Sequence, residues 1–238
     1  MLQRTGTVRE LLVANEKSLA ERMRRRRWSI LRQHIPSFED LRVVDLGGTA
    51  HWWDNAPFIP RSITVVNLYE ADHGSSIVRC VEGDALMAHE LLKGEEFDLV
   101  FSNSLIEHLG GHDARRRFAD VVSTLADSYV IQTPYRYFPI EPHWMFPAFQ
   151  FLPVAVRSWL APLWPLGHTR GWTVDAAANE VMSTELLSAR EMRAYFPDSR
   201  IVWERVAGIP KSMIAIKTPR SIDGSQATRQ DSPGRVEL

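Results

Sequence analysis

The chain has 238 residues, with 28 Lys and Arg against 29 Asp and Glu, and a single cysteine. This length suits one domain with a large core, and the balanced charge leaves no global field that favours nucleic acid. The lone Cys80 excludes an internal disulfide and points to a reducing compartment.

The first residues lack an apolar signal core, because Arg4, Arg9, Glu10, Glu16 and Lys17 interrupt it. Val8, Leu11, Leu12, Leu19 and Met23 fit one face of an N-terminal helix. That helix is expected to end in the basic run Arg24-Arg25-Arg26-Arg27, where cations suit a C-terminus. Apolar runs then alternate with helical patterns. Leu41 to Val44, Ile63 to Val66, Ile77 to Val81, Phe97 to Phe101 and Tyr129 to Gln132 read as successive strands. Phe118, Val121, Val122 and Leu125 follow the spacing of a buried helix face. This alternation predicts a parallel sheet covered by helices.

From Pro134 to Trp172 the rhythm breaks into a proline- and aromatic-rich stretch. It holds the longest apolar run, Trp144 to Gly167, but Arg157 and four prolines keep that run from spanning a bilayer. Ser188-Ala189-Arg190-Glu191 reads as a capping box that opens a helix through Tyr195. Ile201 to Val206 and Met213 to Ile216, joined through Gly208 and Pro210, predict an antiparallel hairpin at a sheet edge. The polar tail after Lys217 predicts disorder.

The most informative stretch is Val43-Val44-Asp45-Leu46-Gly47-Gly48-Thr49, an apolar strand, a carboxylate and a glycine turn. Glycine allows a sharp turn and leaves no side chain between backbone and ligand. Asn67 ends the next apolar run, where nucleotide folds place a group that bonds ribose. Glu82-Gly83-Asp84-Ala85 follows the third run, and the fourth opens Phe97-Asp98-Leu99-Val100-Phe101-Ser102-Asn103-Ser104-Leu105-Ile106-Glu107-His108-Leu109.

In this order the four landmarks resemble those of class I S-adenosylmethionine-dependent methyltransferases of the methyltransferase-11 type, over roughly residues 41–218. The resemblance implies an α/β, Rossmann-like, mostly parallel sheet of the seven-strand type. Helices would cover both faces, and an antiparallel hairpin would close the sheet. It divides the chain into an N-terminal helical segment (1–40), a methyltransferase domain (41–218) and a tail (219–238). Residues 134–172 form an acceptor-side loop or lid within that domain.

The same resemblance implies S-adenosyl-L-methionine as cofactor and methyl transfer as the activity. Gly47, Gly48 and Thr49 would bring backbone to the amino acid end, with Asp45 accepting from its ammonium. Asn67 would bond ribose hydroxyls, with Glu70 as a fallback, and Leu68 would cover the adenine. Asp84 and Ala85 would meet the adenine edge, and Asn103 and Ser104 the region of the sulfonium. Two positions depart from the family pattern: Thr49 and His51 stand where further glycines are common, and Asn67 stands where an acid is usual.

Thr133 to Trp144 should cross the same sheet end. There His143, as a neutral imidazole, is the candidate base. Glu141 would orient it or bind substrate, and Tyr135, Tyr137 and Trp144 would line an aromatic acceptor pocket. His108 reads as a helix-start residue packed under the cofactor. No metal-ligating cluster is evident. The expected acceptor is a small or lipid-like molecule, because Phe146, Phe149, Phe151, Leu152, Trp159, Leu160, Leu163 and Trp164 gather much apolar surface. With the arginine run they would let a cytoplasmic protein touch a membrane peripherally; the alternatives are a helical insertion that completes the core and a solvated helix end. DNA is not an expected partner, since Ser102-Asn103-Ser104-Leu105 lacks the Pro-Pro-aromatic string that grips a base amine. Two rivals are a catalytically degenerate methyltransferase-like scaffold and a nicotinamide-dependent oxidoreductase. The second lacks its Gly-x-Gly-x-x-Gly spacing after the first strand.

Overall fold

The computed structural model describes residues 19–69 and 77–218. Val8, Leu11 and Leu12, the fallback Glu70, and the tail beyond Thr218 lie outside the described residues. The first element is helix α1, Leu19–His34. It does not stop at the basic run: Arg24 to Arg27 sit inside it, because Trp28, Ile30 and Leu31 bury their side chains and carry the apolar face onward. The expectation of a helix end there is corrected.

Strands β1 (Arg42–Leu46), β2 (Ser62–Asn67), β3 (Val78–Glu82), β4 (Leu99–Asn103) and β5 (Tyr129–Pro134) run parallel. The chain then adds β8 (Arg200–Val206) and β9 (Ile209–Lys217), which are antiparallel to each other, and β9 is antiparallel to β5. The spatial order is β3-β2-β1-β4-β5-β9-β8, seven strands in one sheet. Val206 pairs with Ile209, so the hairpin turns on Ala207 and Gly208, with φ of 47° and 83°. Left-handed backbone at both central residues matches the twist of the flanking strands.

Helices cover both faces. Between the strands run α2 (Ala50–Asp54), α3 (Ala88–Leu91) and α4 (His112–Leu125), and α7 (Ala189–Tyr195) precedes β8. The period-2 alternation of the strands divides the core. Val44, Leu46, Val66, Val100 and Ile131 pack against Phe118, Val122 and Met192. Val43, Ile63, Val65, Leu99, Phe101 and Val130 pack against Trp28, Leu31, Ile35 and Trp53. The sequence-derived helix and its capping box are present, with Ser188 and Glu191 bonding each other's backbone.

The stretch after β5 is neither a bare loop nor a simple lid. It forms a short ribbon, β6 (Ile140–Glu141) with β7 (Phe146–Pro147), then helices α5 (Val154–Leu160) and α6 (Val174–Ser183). Trp144, Phe149, Ala161, Ala177 and Val181 give it a small core of its own. Among the described residues, no helix is long and apolar enough to cross a membrane.

Candidate functional site

Parallel strands bring their carboxyl ends to one edge of the sheet, where ligands of such folds bind. At the end of β1, Gly47 adopts φ 76°, and a Cβ there would lie 2.7 Å from a methyl of Leu105 in the loop after β4. The turn therefore requires glycine twice over, for backbone conformation and for close approach. A Cβ on Gly48 would fall 1.8 Å from Oδ2 of Asp45, so the carboxylate lies folded beneath the turn.

Asp45 is turned inward. Its side chain is 1 % exposed, and Oδ2 accepts the indole N–H of Trp53 at 2.8 Å. That bond anchors α2 to the sheet. Asn67 is also turned inward: its Nδ2 donates to the carbonyl of Gly48 at 2.7 Å, and its Oδ1 accepts from the amide of Tyr69 at 3.3 Å. A carboxylate at this position could not donate to that carbonyl, so the departure from the family pattern has a structural reason. Thr49 is exposed and precedes α2 without capping it through its side chain. Leu68 is 53 % exposed. Asp84 is exposed and accepts from the amide of Leu86, opening a short turn in which Ala85 is buried.

At the end of β4, the backbone of Ser104 is held at φ 56°, a strained setting for a non-glycine residue. Its hydroxyl donates to Oε1 of Gln132 on β5 at 2.9 Å. Asn103 accepts a hydrogen bond from the guanidinium of Arg27, which also forks onto Glu204. The basic run is thus not a uniform charged surface, since its last member is built into the sheet end.

A cluster of ionisable groups follows. Glu107 is fully buried, and Thr133 donates to its Oε2 at 2.9 Å. Burial pushes its carboxyl above the usual range. His143 reaches the same place from the ribbon after β5. Its Nδ1 lies 2.6 Å from Oε1 of Glu141, whose Oε2 accepts the amide of Trp144 at 2.8 Å. The rings of His108 and His143 meet edge to face at 5.0 Å. Burial disfavours the His143 cation, but the hydrogen bond and charge of Glu141 outweigh it, and its pKa is raised. That shift makes the ring a stronger proton acceptor than a free imidazole. Burial of its ring, then the facing His143, pushes His108 down to about 4.

The proposed aromatic lining divides. Trp144 is a core residue: it is 1 % exposed, donates from Nε1 to Thr169 at 2.9 Å and packs on Phe149. Tyr135 packs edge-on against Trp203 at 4.9 Å, while Tyr137 is exposed and stacks on Phe151. Beside Glu141 lies a cavity of about 220 Å³, bounded by Arg136, Trp144, Gln150, Arg157, Thr184, Glu185 and Leu186. The Nε of Arg157 is buried there without a hydrogen-bond partner. Sequence reasoning passed over Arg27, Glu107 and Arg157. A string read as a strand exit gave Glu107 no partner, and the partners of the two arginines are remote in sequence.

No family model matches the chain, and no curated protein matches it. Among solved structures it is similar to DhpI in complex with SAH, with a TM-score of 0.50 and 11 % identity, covering 91 % of this chain and 96 % of that one. It is also similar to the 1,6-didemethyltoxoflavin-N1-methyltransferase of Burkholderia thailandensis, solved with 1,6-didemethyltoxoflavin and S-adenosylhomocysteine (TM-score 0.49, 16 % identity, 92 % and 88 % covered). An O-methyltransferase family protein from the same species gives a TM-score of 0.46 at 13 % identity over 84 % of this chain, which spans only 57 % of that protein. At such identities the likeness is one of fold. The seven-strand order with its closing hairpin is a methyltransferase-like fold, and the likeness specifies no finer family.

Proposed function

We propose that the protein transfers the methyl group of S-adenosylmethionine to a small-molecule or lipid-like acceptor. One observation carries the reading. The glycine turn after β1 touches Leu105, and the chain continues from Leu105 directly into Glu107 and His108, which face His143. The strand-end turn and a cluster able to handle a proton or an acceptor are therefore contiguous.

The residues at the strand ends fit an adenosyl cofactor in part. Leu68 offers an exposed apolar side chain beside Asn67, and Asp84 stays at the exposed rim. In this reading Gly47, Gly48 and Thr49 present backbone to the amino acid end, and Leu68, Asp84 and Ala85 bound the adenine. Asn67 holds the turn in shape and meets the ribose only through its edge. Asn103 and Ser104 border the methyl. When bound, the cofactor supplies a sulfonium methyl that is already activated. The acceptor's lone pair bonds the methyl carbon in line while the carbon–sulfur bond breaks, and that electron pair stays on sulfur. Alignment then supplies much of the rate.

Glu141 fixes the ring of His143, so the acceptor is met at Nε2. The cavity beside Glu141 and the exposed Phe151, Trp159 and Leu163 give the acceptor side both polar and apolar surface. The apolar part supports a lipid-like acceptor and peripheral membrane contact. A second reading, a binding protein that keeps the fold without turnover, is favoured by the inward commitment of Asp45 and Asn67. Native mass spectrometry and calorimetry with S-adenosylhomocysteine test the first reading. Binding near micromolar affinity is expected, and its absence at millimolar ligand overturns it. Binding without methylation across an acceptor screen supports the second.

A further inference from the structure

We propose that Glu107, His108 and His143 hold a divalent first-row transition-metal cation. The three side chains come from two places, the turn after β4 and the ribbon after β5. Each offers one ligand atom, and these atoms lie within 4.8 Å of one another. Around a cation with bonds of about 2.1 Å, neighbouring ligand atoms stand roughly 3–3.5 Å apart. Small side-chain rotations close the difference.

Each group has an atom left for the metal. Thr133 takes Oε2 of Glu107, while Oε1 is buried without a hydrogen-bond partner. A buried carboxylate oxygen in that state lacks compensation, which a cation supplies. Glu141 takes Nδ1 of His143, which leaves Nε2 for the cation. A carboxylate behind a ligating histidine fixes its tautomer and orientation, and here that carboxylate is itself fixed by the amide of Trp144. His108 has Thr184 Oγ1 at 3.3 Å from Nδ1, which leaves its Nε2.

The donor set decides the class of metal. Two imidazoles and one carboxylate suit zinc, manganese, iron, cobalt or nickel better than magnesium or calcium, which prefer oxygen ligands alone. Three protein ligands leave coordination positions open for an acceptor hydroxyl or water. Resting on the methyl-transfer reading, the role that follows is acceptor activation. A hydroxyl on the cation gives its proton to solvent at lower pH, and His143 serves as ligand rather than base. The sequence showed no such site because His143 lies far along the chain from the adjacent Glu107 and His108, with no ligand spacing to mark it.

The test uses the full, untagged chain stripped with a chelator and titrated with Co²⁺, Zn²⁺ or Mg²⁺ alone. One equivalent of Co²⁺ should bind with visible d–d absorption, Zn²⁺ should displace it, and Mg²⁺ should compete at least 100-fold less well. His108→Ala, His143→Ala and the near-isosteric Glu107→Gln should each weaken Co²⁺ binding 10-fold or more, while His34→Ala should leave it unchanged. Circular dichroism identifies variants that fail to fold, and Glu107→Gln keeps the shape if the alanine variants do not. No Co²⁺ binding at millimolar metal, or wild-type affinity in folded Glu107→Gln, overturns the site. S-adenosylhomocysteine calorimetry on the same stripped protein separates the two ideas. Cofactor without metal sinks this site alone, and metal without cofactor sinks the methyltransferase reading alone.

Discussion

The guanidinium of Arg27 forks onto the carboxylate of Glu204, with Nε 3.1 Å from Oε1 and Nη2 2.9 Å from Oε2. The two residues are 177 positions apart, and the pair ties α1 to the edge strand β8 beside the end of β4. Glu204 is fully buried and also accepts from Ser212, and the charge of Lys211 acts on it as well.

Removing one partner of such a pair leaves a buried charge without compensation. Arg27→Met should cost about 3–5 kcal/mol, whereas Arg27→Met with Glu204→Leu should recover most of the loss. Urea denaturation reads both. Equal loss in the single and double variants would show that the unpaired Glu204 charge is not the source of the loss.

Much of the sheet was legible because strand patterning and glycine turns are local signals. Val43 to Leu46 and Ile63 to Val66 alternate between two buried faces, and the capping box of α7 needs only residues Ser188 to Glu191. What sequence could not give is long-range pairing. Asp45 reads as a ligand group until Trp53 is seen to occupy it, and Arg27 reads as surface until Glu204 is seen beneath it. The stretch after β5 stays open between a lid and a helical insertion for a related reason: nothing local shows that Trp144 and Phe149 fill a core completed by the helical sequence from Val174.

The glycine turn makes a second prediction. Asn67→Asp places a carboxylate oxygen against the Gly48 carbonyl, now 2.7 Å from an amide donor. The loss of a bond and the new repulsion should cost about 1–3 kcal/mol in the ligand-free protein. Gly47→Ala puts a Cβ at φ 76° and against Leu105, and should lower S-adenosylhomocysteine affinity at least 10-fold while the protein stays folded. Thermal melts and calorimetry check the two effects. A stabilised Asn67→Asp variant would mean that its amide does not hold the turn.

The capping box predicts a pH dependence. Burial tends to raise the pKa of Glu191, but hydrogen bonds from the Ser188 hydroxyl and amide outweigh it, helped by Arg136, and the pKa falls below its ordinary 4.5. The unfolded chain therefore binds the proton more readily than the folded one. The stability this gives is fully present above about pH 4.5 and is lost as pH falls through the lowered folded value. Glu191→Gln keeps the cap's shape without the charge, so it should flatten the acid limb and cost about 1 kcal/mol or less at pH 7. Urea midpoints between pH 3 and pH 7 supply the comparison. An unchanged acid limb would assign it to other carboxylates.

The apolar side of the insertion makes the last prediction. Val156 and Trp159 stand one turn apart on α5, and Leu163 follows after a further turn, all three exposed at 40 %, 60 % and 62 %. Side chains three positions apart share a helix face, so Val156 and Trp159 lie together on α5, and Leu163 extends that apolar surface from the turn that follows the helix. A lipid-like acceptor needs such a face near its binding cavity, and burying it against acyl chains gains roughly 25 cal/mol per Å² of apolar area. The electrostatic share should be smaller than the arginine run suggests, because Arg27 is turned to Glu204 and Arg26 donates to the carbonyl of Arg205. Co-sedimentation with neutral and anionic vesicles at low and high salt separates these contributions. Measurable binding to neutral vesicles is expected, with a modest, salt-sensitive gain on anionic ones. Trp159→Ser with Leu163→Ser should abolish the neutral component while leaving S-adenosylhomocysteine binding intact, because neither residue belongs to the strand-end turn. Binding that is wholly anionic and salt-sensitive, or unchanged in that double variant, would remove the apolar face from the acceptor side. It would then leave the cavity beside Glu141, with its Arg157 guanidinium, as the surface that selects the acceptor.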